Sequence, residues 1–435
     1  MQNKNIFYII FGNILWSLIP VIVFGLFNEI SIITIIFLRF FVSGIILMII
    51  AVLITYINNK YSSNQPLRLK DLFKFTYSKN ESFFKLRYIY YFAIIGFFGI
   101  ILQLIFFFLA LKISSVSLTM IGFQIAIIIV AIYEHGAQSE KLDKFKGLYI
   151  IILVFSIGII ILVKSQESGR FSLIGFLYII IFTLCLTFFQ ITIDKDSYSK
   201  DEIKLINKNE LYKVPRLLIK ISFTFFMGIM LMIPFVFIIY LIPVQTDLTT
   251  EIGQFYRDLS NIFQILLRWE ILFLILGSTI FPYLLIFIAY AKWSPYNLTY
   301  RQWNCILTII EPIGGIFFGV LLGVDSFPIE LLVIVLFLLI ITILLRYIHE
   351  STNKVNAYLL LSKKKGALKG LSLKILKFSG VFSIQSLVGT HDILVYIRTN
   401  SFREFRYLVD DKIRKLKEIE NIKILFINKI IKITS

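Results

Sequence analysis

Charge is what this sequence has least of. Only 16% of its 435 residues are Asp, Glu, Lys or Arg, whereas a water-soluble domain carries about a quarter. A soluble enzyme is therefore excluded. With 58% of residues hydrophobic, a disordered chain is excluded as well, and 22 glycines with nine prolines are too few for a collagen-like one. The two cysteines, Cys185 and Cys305, both fall inside apolar runs, so no disulfide framework can be read from them. Three histidines, His135, His349 and His391, are scattered. They offer no metal-ligand spacing, and no phosphate-binding glycine loop follows a strand. The expectation is of no enzyme, no metal and no cofactor.

What is abundant is apolar length. A hydrocarbon core about 30 Å thick needs roughly 17 to 25 apolar helical residues. Ten runs qualify as spans 1 to 10: 6–27, 32–57, 89–111, 114–133, 148–163, 172–193, 217–244, 271–291, 295–322 and 329–347. The fifth is the shortest. The first lacks a small-residue cleavage pattern and reads as a retained span.

The net charge of +18 acquires meaning from its placement. With the N-terminus inside, the inner segments hold nineteen basic residues. The outer ones hold five: Lys112, Lys164, Arg170, Arg257 and Arg268. Because basic residues resist translocation, both termini are expected in the cytoplasm. In the outer 245–270 loop, Leu248, Ile252, Phe255, Leu259, Ile262 and Leu266 recur every three or four residues. This describes an amphipathic helix on the membrane face, either a gating lid or an interfacial extension of span 8.

Compared with itself at an offset of 180, the chain aligns Leu111-Lys112-Ile113-Ser114-Ser115-Val116-Ser117-Leu118-Thr119 with Ala291-Lys292-Trp293-Ser294-Pro295-Tyr296-Asn297-Leu298-Thr299. Each stretch joins two spans by a short turn, so spans 3 and 4 pair with spans 8 and 9. That implies a five-plus-five repeat, 1–163 and 164–350. Five is odd, so the second copy enters the membrane from the opposite side, the inverted arrangement of alternating-access carriers.

Gly12-Asn-Ile-Leu-Trp16-Ser17, Phe37-Leu38-Arg39-Phe40, Ala110-Leu111-Lys112 with Ser114-Ser115, and Ser139-Glu140-Lys141-Leu142 before Gly147 resemble the EamA-type drug/metabolite transporter superfamily. Ile310-Glu311-Pro312 and Gly323 repeat the pattern in the second half. The resemblance covers roughly residues 6–347. It implies a multi-pass carrier of a small molecule in the cell membrane.

A charge at the bilayer centre costs at least about 2.5 kcal/mol, so polar residues within spans should face protein or water. Arg39 has no acid in its own span. It either binds an anionic group or pairs with backbone carbonyls. In span 9, Arg301, Asn304, Thr308 and Glu311 fall within an arc of roughly 80° on a straight helix, making one face polar. The plainer reading of Arg301 is snorkelling to the surface, and of Glu311 helix packing beside Pro312. Glu311 is otherwise a candidate carrier of a coupling proton. Trp16, Gln103, Gln124 and Tyr283 complete the candidate substrate pathway. Smaller polar stripes on span 1 (Asn13, Trp16, Ser17, Pro20) and span 6 (Thr183, Thr187, Gln190), and the pair Gly315 and Gly319, read first as helix contacts.

Beyond Tyr347 the pattern becomes alternating and charged. Strands are expected at 355–361, 381–388, 393–398 and 422–432. Helices are expected through Leu368, Leu371, Ile375 and Phe378, and through Phe402, Phe405, Val409, Ile413 and Leu416 behind a Ser401 and Glu404 capping box. The order βαββαβ predicts a ferredoxin-like α+β domain at 351–435 following the all-α membrane part. Ala357-Tyr358, Gly380-Val381 and Gly389-x-His391-Asp392 make this segment similar to the small-molecule-binding domain of the Lrp/AsnC regulator family. The resemblance implies amino-acid binding near Gly389, His391 and Asp392, and a homodimer formed through the sheet. The plain alternative is a turn that needs positive φ at Gly389 and a cap at Asp392. Where that family carries its DNA-binding helices this chain has span 10, so nucleic acid is not expected as a partner. From Lys354 onward the tail holds 17 basic and six acidic residues, a surface suited either to plain solvation or to anionic lipid headgroups.

These observations describe a secondary carrier, exporting an amino acid or related metabolite and regulated by amino-acid binding to its tail. Two alternatives stay open: a membrane sensor that no longer transports, and a carrier of drugs, nucleotide sugars or other metabolites.

Overall fold

The computed structural model describes residues 2–61, 69, 72, 88–138, 143–167, 172–193, 213–241, 244–293, 298, 300–352, 355–363, 368–376, 378, 380–399, 405–416 and 418–426. Ser139 to Leu142, Ser294 to Asn297, Thr299, Ser401, Phe402, Glu404 and the end of the expected last strand lie outside them. The chain divides into two compact units, Met1–Val130 with Ile150–Ile343, and Ala131–Tyr149 with Leu344–Ser435.

Among the described residues, ten helices are long and apolar enough to cross a membrane: Lys4–Phe24, Ile32–Lys60, Tyr91–Ile113, Val116–His135, Lys144–Gln166, Leu173–Thr192, Lys213–Tyr240, Trp269–Ala291, Tyr300–Leu321 and Ile329–Ser351. They correspond one to one with spans 1 to 10. Span 5 is longer than its apolar run because Lys146 and Lys164, which look like helix ends in the sequence, are both buried inside it. Lys146 reaches Glu134 of span 4 at 3.3 Å. Lys164 bonds Asp325 at 2.7 Å.

Two spans share an irregularity. Span 3 passes through a π-helical turn at Ile95–Leu102 before its final helix Gln103–Ile113, and span 8 through one at Leu276–Ile280 before Phe281–Ala291. The two features stand about 180 residues apart. The packing has the same form: span 3 lies on spans 6 and 7, span 8 lies on spans 1 and 2, and span 2 crosses span 7. At the span 3 turn two backbones touch. A Cβ added to Gly96 would stand 2.2 Å from the Thr224 carbonyl oxygen and 2.9 Å from the Gly228 nitrogen. Gly96→Ala is accordingly expected to destabilise the protein by about 1 to 3 kcal/mol through overpacking. Gly158→Ala, whose Cβ would meet nothing, should not lower the melting temperature. Thermal unfolding of the two purified variants compares them directly.

Span 9 is not the straight helix assumed for its polar arc. It runs as Tyr300–Leu307, turns at Thr308–Ile309 and resumes as Ile310–Leu321. Pro312 has no N–H to return to the Thr308 carbonyl, which instead accepts from the Glu311 nitrogen at 3.2 Å. The single stripe of four residues is thus interrupted between Thr308 and Glu311.

The 245–270 segment also differs from expectation. Its helix Asp247–Asp258 starts with a capping box at Thr246 and Thr249. Extended backbone at Arg268 separates the segment from span 8, so it is no extension of that span. Just outside span 8, hydrogen bonds first from Glu270 and then from Glu29 push the Arg268 pKa above its ordinary value.

In the tail, β1 (Val355–Lys363), β2 (Val381–Ser386), β3 (Ile393–Thr399) and β4 (Ile419–Phe426) form an antiparallel sheet in the order β2-β3-β1-β4. The helix Leu368–Leu376 joins β1 to β2, and a π-helical segment Tyr407–Ile413 lies between β3 and β4. Alternation sorts the central strands. Ala357, Leu359, Leu361, Ile393, Val395 and Ile397 pack with Leu371, Ile375, Phe405, Leu408, Val409 and Ile413. β4 begins three residues earlier than its sequence pattern suggested.

Candidate functional site

Arg39 is the charge that the helical pattern places inside span 2, and it is buried, with 4% of its surface exposed. The π-helical turn of span 8 explains how it is held. A π turn widens the helix and shifts the ladder, so carbonyls there take side-chain donors. Ser278 and Thr279 hydroxyls both donate to the Leu274 carbonyl, and Ser43 donates to that of Ile275. Arg39 Nε donates to Thr279 Oγ1 at 2.7 Å and Nη2 to the Ser278 carbonyl at 3.1 Å. Its remaining nitrogen, Nη1, is buried and has no hydrogen-bond partner among the described residues. The guanidinium is thus fixed with one donor group unspent.

Around it stand Tyr283 of span 8 and Glu311 of span 9, both within electrostatic reach of Arg39. Both keep part of their surface accessible, and among the described residues neither side chain is hydrogen-bonded. Aromatic rings enclose the group. Trp16 of span 1 meets Tyr283 edge-on at 5.7 Å, Phe225 of span 7 lies 5.6 Å from Tyr283 and 4.7 Å from Phe40, and the guanidinium stands 5.1 Å over the Phe40 ring. The arrangement offers a cation, a carboxylate and aromatic walls to one small polar solute.

Four candidate residues are thus brought together: Trp16, Arg39, Tyr283 and Glu311. Asn304 and Thr308 are half-buried, and the Thr308 hydroxyl bonds the Asn304 carbonyl at 2.7 Å. Arg301 is exposed in the first turn of span 9. Gln103 starts the final helix of span 3 and is half-buried. Gln124 of span 4 is fully buried, and both its amide atoms lack partners. Among the described residues no hydrogen bond or ring contact joins either glutamine to the Arg39 group. Within the span 1 stripe, Asn13 and Ser17 bond their own helix, and a Cβ on Gly314 would collide with Ser17 Oγ at 2.3 Å. Ser278 and Thr279 were missed, since nothing in their residue types announces a π turn.

At the expected outer face, the Asp247–Asp258 helix is fastened by its acids. Glu251, 2% exposed, accepts from the Ile32 nitrogen at 2.7 Å and from Lys112 at 2.5 Å. Asp258 accepts from the Ser31 nitrogen and the Thr34 hydroxyl. Two carboxylates thereby satisfy the open N-terminus of span 2. Hydrogen bonds to charged groups are worth about 1.5 to 3 kcal/mol. Glu251→Ala should therefore raise amide hydrogen exchange in Asp247–Asp258 by about 100-fold, and Glu251→Gln by less.

In the tail, Gly389 takes φ +143°, the conformation its turn needs. Asp392 Oδ2 accepts from the Lys363 nitrogen at 2.8 Å, and the Asp392 nitrogen donates to Leu361, the work of a hairpin cap. His391 Nδ1 lies 3.0 Å from the Thr390 hydroxyl.

Ten apolar helices and this buried polar group define a multi-pass membrane protein. Residues 3–162 match the model of the EamA-like transporter family. No curated protein matches the chain. A protein of known crystal structure is similar at 11% identity and a TM-score of 0.45, over 80% of this chain and 98% of that one.

Proposed function

We propose that the chain is a secondary carrier of the cell membrane that exports an amino acid or related small metabolite, with an amino-acid-sensing tail. The observation that carries this reading is the Arg39 guanidinium, fixed on the span 8 turn with Nη1 unspent among the described residues and with Glu311 and Tyr283 within electrostatic reach. A carboxylate suits the first group, an ammonium the second. The paired π turns and the parallel packing of spans 3 and 8 support two repeats, 1–163 and 164–350, inverted with respect to each other. The excess of basic residues in alternate loops supports cytoplasmic termini. The strand order β2-β3-β1-β4 supports a ferredoxin-like tail, for which amino acids, anionic lipid and a second copy of the chain are the proposed partners. Export follows from a sensor that reads the inner compartment, since an effector favouring one carrier state shifts the population towards it.

The test is flux. The purified chain in liposomes loaded with ¹⁴C-labelled proteinogenic amino acids should release at least one of them faster than protein-free liposomes. No release of any label would refute amino-acid transport.

A further inference from the structure

The sequence that ends span 4 and begins span 5, Ala131–Tyr149, clusters with Leu344–Ser435 and not with the remaining spans. Its bonds show why. Lys146 Nζ reaches Glu134. Asp143 Oδ1 caps span 5 by accepting from the Lys146 nitrogen at 2.8 Å. The same oxygen lies 2.8 Å from His349 Nδ1, in the last turns of span 10. His349 is 2% exposed. It packs edge-on against Tyr149, whose ring also carries the Arg346 guanidinium at 5.8 Å. Six residues after His349, β1 of the tail begins.

A second pair has the same form at the other ends of these two helices. Asp325, just before span 10, bonds Lys164 in the last turn of span 5, as Asp143, just before span 5, bonds His349. The two pairs differ in firmness. Lys164 and Asp325 have no exposed side-chain surface, and they are further held by the Ser117 nitrogen, the Ser326 carbonyl and Glu167. The Asp143 side chain is 20% exposed. One pair is closed off from solvent; the other is partly open to it.

We infer that the Asp143–His349 contact is the relay through which the tail controls the carrier. It rests on the carrier reading above. A shift of the tail at Val355 acts on the end of span 10, and His349 passes it to Asp143 and so to spans 4 and 5.

The test uses full-length chains in liposomes and efflux of the ¹⁴C amino-acid mixture. In one variant a flexible Gly-Ser linker of about ten residues, inserted after Thr352, uncouples the tail while keeping it. In the others His349→Leu removes the contact or Asp143→Asn strips it of its charge, and a fourth combines the linker with His349→Leu. The linker should change the rate at least twofold, each substitution should reproduce that changed rate, and the combination should add nothing. The exchange of Asp143→His with His349→Asp should restore the original rate, while the lack of any added effect when His349→Leu joins the linker is what a merely structural role would not give. A rate for His349→Leu and Asp143→Asn that differs from the linker variant's, or additive effects in the combination, overturns the relay alone. Absence of flux from the unaltered chain overturns the carrier reading and the relay with it.

Discussion

Arg39→Met is expected to reduce flux by about 100-fold or more while leaving the fold intact. Truncating one partner of a desolvated charge interaction costs about 2 to 5 kcal/mol, and tenfold corresponds to about 1.4 kcal/mol. Stability should move differently. Arg39 already leaves one nitrogen unsatisfied, and Thr279 and Ser278 keep their own bonds to Leu274 when it is gone. An apolar side chain of similar length should therefore melt within a few degrees of the original or above it. This separation is the mark of a group retained for function at a cost to stability. Arg39→Lys preserves charge but not the fork that meets Thr279 and Ser278 together, so it should recover only a small part of the flux. Efflux assays and thermal unfolding on the same preparations give both quantities.

Lys164→Ala should behave in the opposite way. It leaves Asp325 buried beside the Ser117 nitrogen without its cation, and breaking such a pair costs about 3 to 5 kcal/mol. Asp325→Ala should be as damaging. Replacing both residues, Lys164→Met with Asp325→Leu, removes the orphaned charge, and desolvation of two ions is no longer required. The double variant should thus be more stable than either single one. Thermal unfolding of Lys164→Met, Asp325→Leu, the double variant and the unaltered chain closes the cycle, with a coupling of several kcal/mol as the expected result.

Much of the architecture was legible because the bilayer imposes it. All ten spans follow from apolar length alone, and the tail's elements follow from alternation at 355–361 and 393–398 and from helical spacing at Leu368, Leu371 and Ile375. Arg39 stood out because a charge within a span demands an explanation. Its partners did not, because Ser278 and Thr279 are ordinary residues until the π turn frees the geometry around them. Pro312 was visible, yet the straight-helix arc drawn through Arg301, Asn304, Thr308 and Glu311 ignored the break that a proline forces. Lys146 and Lys164 made span 5 look short, since a lysine reads as a helix end when its buried partner is far away in sequence. Lys164 and Asp325 are 161 positions apart, and no local pattern joins them. The acidic clamp of Glu251 and Asp258 was hidden for the same reason: its targets are backbone nitrogens of Ser31 and Ile32.

Access to Tyr283 from the two sides of the membrane tests the central claim most directly. Tyr283→Cys, in a chain with Cys185→Ser and Cys305→Ser, is labelled in sealed vesicles with a membrane-impermeant maleimide applied outside or trapped inside. A pathway between two inverted halves, opening to one compartment at a time, predicts labelling from either side, each treatment blocking the other. Labelling from one side only, or from neither, would contradict it.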